Sequence, residues 1–253
     1  TEATRLNLSK YAEEVALGVA EAKLKSTDIY AALELATTMH TAYAAFAPAL
    51  QPALVRNATL PAPAGESDTE RSARLLRKRA TLRLLFDLVA VGVLSDSDAA
   101  LGALASVAAE DVPALGGGKD KGKGEVKSGE TALPNLAVIS AVAKHVTSDP
   151  MLLPLPPKPT DDAADGEGVE CALDASEQTQ LVSLLTSYFT AACESLLTGW
   201  RDLCAVERAN NKTLRTRGEL TDEATGAYER SRKAHERLAS GCATLAEALR
   251  VEV

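Results

Sequence analysis

The chain has 253 residues and a formal net charge of −8 at pH 7, and 46% of its residues are hydrophobic while only 4% are aromatic. That length allows a sizeable core, and a composition rich in Ala and Leu but poor in aromatic residues favours helices over strands. The acidic balance argues against a general nucleic-acid binder, which needs clustered positive charge to contact phosphates.

The first quarter of the chain predicts two helices followed by a flexible connection. Apolar residues recur every three or four positions over 6–25 and again over 28–47, which is the spacing of one helical face. Pro48 and Pro52 then indicate the end of the second helix, because proline cannot donate an intrahelical hydrogen bond. We expect the proline-containing stretch 51–69 to form a mobile connection.

The central segment, residues 71–94, changes character along its length. Its first half is basic, and its second half is apolar on every side apart from Arg83 and Asp87. A helix that is apolar all round must be buried on all sides, so we expect a central core helix with a charged N-terminal end. Arg83 and Asp87 are four residues apart and can meet on one face as a partly buried structural pair. The alternative is a solvated surface pair.

Shorter helices are predicted over 98–110 and 133–146. The stretch that follows the first is rich in glycine and lysine, and the stretch that follows the second contains five prolines and then a run of acids. Neither stretch has enough apolar surface to offset the entropy lost on ordering it. We therefore expect disordered or extended connections at about 111–131 and 149–175.

The last third of the chain predicts two long amphipathic helices. The first is capped by Ser176 and runs to about Arg208, and the second begins at Thr221. Trp200, the only tryptophan, lies next to the apolar stripe of the first helix, where we expect it to anchor a contact between helices. A polar connection that ends at Gly218 joins the two helices, which predicts an antiparallel hairpin.

Residues suited to catalysis or metal binding do not cluster in the sequence. The four cysteines have no CxxC spacing, and the histidines His40, His145 and His235 lie far apart. A zinc site needs grouped ligands and an enzyme needs a nucleophile beside a base, so we expect no metal, no cofactor and no enzymatic activity. The longest apolar run has about 13 residues, short of the roughly 20 that span a membrane, and no signal peptide is visible, so we expect no membrane partner.

Seven predicted helices in rough pairs indicate an all-α fold. Each pair is too small to bury a core alone, so we expect one helical module over 1–253, built as a stack of antiparallel helix pairs in a HEAT-like α-solenoid. Such stacks present extended surfaces, which is typical of a scaffold.

Several segments in chain order resemble one family. They are LNLSKY, EAKLKSTDI, HTAYAAFAPAL, KRATLRLLFDLVAVGVLSD, SYFTAACESLL and ERANNKTLRTRGELTDEATGAYE. The last, with its ERxN…LxxxGEL pattern over 207–220, is the most specific. On these segments the chain resembles the first middle-domain-of-initiation-factor-4G module of the second up-frameshift protein (regulator of nonsense transcripts 2) family.

This resemblance implies a non-catalytic scaffold in nonsense-mediated mRNA decay, with a cytoplasmic or perinuclear location. The expected partners are protein components of the mRNA surveillance complex, and the module itself is expected to be a monomer. In that family a tail engages the decay helicase, and a third module engages the third up-frameshift protein and RNA. The resemblance covers neither region, so neither activity is carried onto this chain.

Two basic patches leave an alternative function open, that of an RNA-binding helical module. The first patch lies within 71–79 and the second within 208–217, and the candidate protein or RNA contacts are Arg71, Arg74, Arg77, Lys78, Arg208, Lys212, Arg215 and Arg217. Binding of RNA by so few cations is expected to be weak and to fall steeply with salt. The simplest alternative for both patches is a solvated charged face.

Overall fold

The computed structural model describes residues 7–25, 27–115, 133–154 and 171–251. Within these ranges the chain forms eight α-helices, one short 3-10 helix and no strand, which confirms the all-α prediction. The helices are α1 (Ala12–Glu21), α2 (Ile29–Ala42), α3 (Phe46–Ala58), α4 (Asp68–Ala90), α5 (Asp98–Asp111), α6 (Leu136–Ser148), α7 (Ala175–Arg217) and α8 (Asp222–Leu249), and the 3-10 helix is Pro113–Leu115.

Helix α4 lies at the centre of the fold. It begins with a capping box, in which the Ser67 hydroxyl accepts from the Glu70 N–H and the Glu70 carboxylate accepts from the Ser67 N–H. Its second half contains a set of fully buried side chains that point in all directions around the helix, namely Leu82, Leu84, Leu85, Phe86 and Leu88. Helices α2, α3, α5 and α6 surround it, so the prediction of a central core helix is confirmed.

Helix α3 corrects the prediction that residues 51–69 form one mobile connection. The helix continues to Ala58, and Phe46, Leu50 and Leu54 on one face are fully buried against α1, α4 and α5. Only residues 59–67 connect α3 to α4.

The two prolines of α3 are compatible with a helix for different reasons. Pro48 lies in the first turn, where a backbone N–H has no intrahelical acceptor in any case. Pro52 lies inside the helix and removes one interior hydrogen bond. Burial of the face that carries Phe46, Leu50 and Leu54 offsets the lost hydrogen bond, so the helix continues through Pro52.

Helix α7 is longer than predicted and has 43 residues. The segment 207–217, which was expected to be largely connection, forms its last three turns. The helix ends where Gly218 takes a left-handed conformation with φ of 80° and donates its N–H to the carbonyl of Leu214. Helix α8 begins four residues later, with the Thr221 hydroxyl accepting from the Ala224 N–H.

Helices α7 and α8 form an antiparallel hairpin that packs on α6 and extends beyond the core. The Ser140 hydroxyl of α6 donates to the carbonyl of Gly241 in α8. The last buried residue of α7 is Leu203 and the first of α8 is Cys242. Between these two residues, positions 204–241 contain no buried residue, although Leu238 packs against the core. Residues 204–237 therefore extend from the body of the molecule, and we call them the projecting hairpin.

The other two predicted connections lie partly outside the described residues, which exclude 116–132 and 155–170. The ends of the second connection contact each other, because the Ala172 N–H donates to the carbonyl of Met151 at 2.8 Å. The chain thus leaves and re-enters the fold at one place. The predicted disorder of these two stretches falls on residues that the structure does not describe.

Among the described helices, α7 alone is long and apolar enough to cross a membrane, a feature that the longest apolar run did not reveal. Helix α7 contains an 18-residue window with a mean hydropathy of 1.3, of which 33% is buried. This helix contacts α5, α6 and α8, and the Tyr188 hydroxyl of its apolar part donates to the Asp111 carboxylate at 2.6 Å. Core helices meet the same criterion of length and composition.

Candidate functional site

The basic start of α4 is neutralised by acids from the same region. The Arg74 guanidinium donates to both carboxylate oxygens of Glu66, at 2.7 and 3.0 Å, and Arg71 lies 3.4 Å from Asp68. The Glu66 side chain is only 6% exposed, and its hydrogen bonds with Arg74 lower the pKa of that carboxyl. Arg77 donates to the backbone carbonyl of Glu21 in α1. Arg71 and Arg74 thus bind acids at the start of α4 itself, and Arg77 joins α4 to α1.

Lys78 was predicted as a surface contact for protein or RNA, and that prediction is wrong. The residue is fully buried, and its ammonium donates to both carboxylate oxygens of Glu110, at 2.6 and 2.7 Å. A buried ammonium needs such a partner because the cost of removing it from water is large. Lys78 therefore contributes to the packing of α4 against α5 and is not part of a free cationic surface.

A buried polar cluster continues from this ion pair, and we call it the α5 cluster: Lys78, Glu110, Asp111, Asn135 and Tyr188. The Asn135 side-chain amide donates to Glu110 at 3.0 Å and to Asp111 at 2.8 Å, and the Tyr188 hydroxyl donates to Asp111 at 2.6 Å. Burial raises the pKa of Asp111 to about 6, although these hydrogen bonds oppose the shift. The cluster links α4, α5, α7 and the start of α6.

The Asp87 carboxylate contacts two side chains, Arg83 and His145. The Arg83 Nε lies 3.6 Å from one carboxylate oxygen, as the spacing of four residues predicted, and the Arg83 side chain is about a third exposed. The His145 Nε2 lies 2.6 Å from the other oxygen, which ties α6 to α4. Within the described part of the chain, no serine, threonine or cysteine hydrogen-bonds to His145, so the pair has no nucleophile to activate.

The second basic patch is exposed, unlike the first. Arg208, Lys212, Arg215 and Arg217 all lie on the surface of the projecting hairpin. A helix turns by about 100° per residue, which places Arg208, Lys212 and Arg215 on one face and Arg217 on the opposite face. Arg201, which the sequence analysis did not single out, is exposed on the same face as the first three.

These four cations form a surface that we call the basic stripe: Arg201, Arg208, Lys212 and Arg215. Among the residues that the structure describes, none of the four lies within 4.0 Å of a carboxylate. The stripe faces away from the core side of α7, where Leu185, Ala192 and Leu203 are buried.

An apolar area adjoins the basic stripe at the end nearer the core. The Leu197 side chain is 57% exposed one turn before Arg201, and Trp200 is 54% exposed. The Trp200 ring lies 5.6 Å from the ring of His235 in α8, measured between centroids, so Trp200 does contact the neighbouring helix. It leaves half of its surface to solvent.

Other parts of the described surface offer little chemistry. In residues 7–25, 27–115, 133–154 and 171–251, no group of three or more His, Cys, Asp or Glu side chains could hold a metal ion. Open grooves of about 610 and 650 Å³ lie along α7 and α2, and their described linings are apolar, amide and hydroxyl side chains with a single acid, Glu34. Neither groove brings a nucleophile next to a histidine.

Sequence comparison relates the chain to a small part of larger proteins. No family model matches it. Regulator of nonsense transcripts UPF2 of Arabidopsis thaliana is 26% identical over 244 residues, which are 96% of this chain and 19% of that protein. Regulator of nonsense transcripts 2 of Homo sapiens is 25% identical over 248 residues, 96% of this chain and 18% of that protein. The chain thus spans about a fifth of the length of these curated relatives.

Structural comparison identifies the fold. The crystal structure of the first MIF4G domain of human nonsense mediated decay factor UPF2 superposes with a TM-score of 0.72 at 23% identity, covering 98% of this chain and 74% of that one. The N-terminal mIF4G domain from S. cerevisiae Upf2 superposes with a TM-score of 0.64 at 19% identity, covering 98% and 78%. The chain is homologous to a segment of UPF2, regulator of nonsense transcripts 2, and has the fold of the first MIF4G domain of that protein.

Proposed function

We propose that the chain is a non-catalytic scaffold module of nonsense-mediated mRNA decay, which binds protein components of the surveillance complex in the cytoplasm or perinuclear region. The observation that carries this proposal is the match in sequence and fold over nearly the whole chain to regulators of nonsense transcripts. A module that matches these proteins over 96% of its length is expected to act in the same process.

The distribution of polar groups supports a scaffold over an enzyme. The ionisable residues that are withdrawn from solvent, in the α5 cluster and around Asp87, are hydrogen-bonded to one another and connect helices. They are therefore engaged in holding the stack together. The long outer faces of α7 and α8 remain exposed, and extended helical faces are what stacked helix pairs present to partners.

RNA binding stays a second candidate, with one observation in its favour. The exposed cations of the basic stripe could contact phosphates, while within the patch at 71–79 Arg74 is paired with Glu66 and Lys78 with Glu110. Four phosphate contacts on a single strand would give a modest affinity that falls with added salt at a slope of about −3 on a logarithmic plot. The observed pairing thus removes Arg74 and Lys78 from the cationic surface on which the RNA alternative was based.

Affinity purification from a eukaryotic lysate tests the scaffold proposal. The chain serves as bait in parallel purifications with and without nuclease, and mass spectrometry identifies the captured proteins. With nuclease present, we expect surveillance factors to be enriched over a bait of equal size and charge. In size-exclusion chromatography, we expect the chain itself to elute as a monomer. Loss of every specific partner on nuclease treatment would favour the RNA alternative, and capture of specific partners without any surveillance factor would contradict the proposal.

A further inference from the structure

We propose that the basic stripe of α7 binds an acidic amphipathic helix of a partner protein. This inference rests on the proposed scaffold function and names the chemistry of one partner. The partner helix carries carboxylates along one face, an apolar side chain near one end of that face and a cation beyond it. It lies along the outer face of α7, opposite the core.

The spacing of the stripe is that of a contact between two helices. Arg201, Arg208 and Arg215 are separated by seven residues, and Lys212 follows Arg208 by four. Positions that alternate by four and three along a helix form a nearly straight seam, which a second helix can follow over its whole length. From Arg201 to Arg215 the seam is about 21 Å long at 1.5 Å per residue.

Charge complementarity identifies the partner face. The stripe is exposed in a chain of net charge −8, and in the described residues its cations have no carboxylate partner, whereas Arg74 and Lys78 are each paired with one. Unpaired arginines can form bidentate contacts with carboxylates, and such contacts are the strong form of this interaction. A row of glutamate or aspartate side chains is therefore the complementary surface.

The apolar end of the seam fits a protein partner. Leu197 lies four residues before Arg201 on the same face and is more than half exposed, and Trp200 flanks it. Tryptophan and arginine are enriched among the residues that dominate binding energy, and an apolar contact surrounded by polar ones is typical of the centre of an interface. A phosphate backbone would offer Leu197 no apolar surface against which to be buried.

One acid on the seam favours a partner helix over RNA as the bound partner. Glu194 is exposed seven residues before Arg201, so it extends the same seam with the opposite sign. A uniformly anionic strand that followed the seam would be repelled there. A partner helix can place a lysine or arginine opposite Glu194, which would also fix the direction in which the helix lies.

A designed peptide tests the inference directly. The probe is a fluorescently labelled helix of about 24 residues, long enough to span the seam at 1.5 Å per residue. It carries glutamates at the seam spacing, one leucine and one terminal lysine, and it is made in both sequence directions, with a scrambled peptide of the same composition as reference. Binding to the whole chain is measured by fluorescence anisotropy.

The variants separate a specific seam from general charge attraction. Reversal of the stripe by R208E/K212E/R215E is expected to weaken binding at least about tenfold. The matched control R230E/K233E/R237E makes the same change in charge at exposed positions of α8 and is expected to weaken it less than about threefold. Leu197→Ala is expected to weaken peptide binding at constant charge. Circular dichroism verifies that each variant is folded.

Three results would overturn the inference. One is binding of both directed peptides no tighter than the scrambled peptide, and another is equal weakening by the two triple variants. The third is tighter binding of a labelled uridine-rich single-stranded RNA with the same dependence on Arg208, Lys212 and Arg215, which would assign the stripe to RNA. If surveillance factors are still captured from lysate in any of these cases, the scaffold function stands and only the stripe inference fails.

Discussion

Lys78 and Glu110 show how a charge that is expected at the surface can serve the interior. Lys78 is the only lysine that the structure buries in its described part, and Glu110 reaches it from the last turn of α5 while remaining about a third exposed. Asn135 donates to the same carboxylate. The pair thus joins α4, α5 and the start of α6 through one ammonium and one carboxylate.

Removal of the ammonium tests this role. Lys78→Met is expected to lower the free energy of unfolding by about 2–4 kcal/mol, somewhat less than for a fully buried pair because solvent reaches Glu110. Urea denaturation measures the effect. The double variant K78M/E110Q is expected to recover part of the loss, since it leaves no unpaired charge. A Lys78→Met protein as stable as the parent would contradict the structural role.

Asp111 predicts a defined pH dependence. Its folded pKa is raised from the ordinary value of 3.8 to about 6 by burial, so between these values the folded state holds a proton that the unfolded state has released. Stability contributed by Asp111 is therefore lost as the pH rises from about 4 to about 6, by up to about 3 kcal/mol.

Comparison with Asp111→Asn isolates that contribution from other carboxyls. Urea denaturation at several pH values is expected to show that the parent loses stability relative to the variant between pH 4 and pH 6, with a constant difference at higher pH. The opposite slope would mean that the hydrogen bonds from Tyr188 and Asn135 outweigh burial and lower the pKa.

At the scale of the elements, side-chain periodicity predicts most of the fold. The all-round apolar half of α4 and the four-and-three stripes of α7 and α8 identify buried helical faces without further information. Helix α3 was missed because Pro48 and Pro52 were given more weight than the buried spacing from Phe46 to Leu54. The end of α7 was missed because its last three turns contain no buried side chain that could mark a helical face.

The close approach of α6 and α8 depends on a glycine. A Cβ at Gly241 would lie 2.6 Å from the Leu136 Cδ2 and 2.8 Å from its Cγ. Leu136 is itself buried and has little room to move. The helices can therefore be this close only if position 241 has no side chain.

Gly241→Ala is expected to lower the free energy of unfolding by about 1–3 kcal/mol through overpacking. The matched control is Gly102→Ala in α5, where nothing lies within 4 Å of the new Cβ, and it is expected to stabilise the helix by about 0.5–1 kcal/mol. In the background of Leu136→Ala, the Gly241 substitution should cost much less. Additive effects of the two substitutions would show that the contact is not limiting.

At the scale of the whole molecule, sequence alone predicts the family and the architecture better than it predicts which charged residues are free at the surface. The family segments extend from residue 6 to residue 229, so the class of fold follows from them. The pairs Lys78–Glu110 and Asp87–His145 join residues that are 32 and 58 positions apart, and no local pattern indicates such partners. For this reason the cations at the start of α4 resemble a binding patch in the sequence, where nothing indicates that Lys78 pairs with Glu110.

The basic stripe could be predicted only in part from the sequence. Arg208, Lys212 and Arg215 stand out in the sequence as a local excess of positive charge. Arg201 and Leu197 join them only when α7 is known to be one continuous helix through residue 217, because their common face depends on unbroken helical spacing. The surface thus follows from the length of α7 together with its composition.

Reporter mRNA half-life tests the proposed role in nonsense-mediated mRNA decay in living cells. In cells of the source organism, the gene is edited so that the protein containing this chain lacks only residues 1–253, and a normal reporter is measured beside one with a premature stop codon. We expect the premature-stop mRNA to become longer-lived while the normal mRNA is unchanged. Unchanged half-lives of both mRNAs, with the shortened protein present at its usual level, would contradict the account.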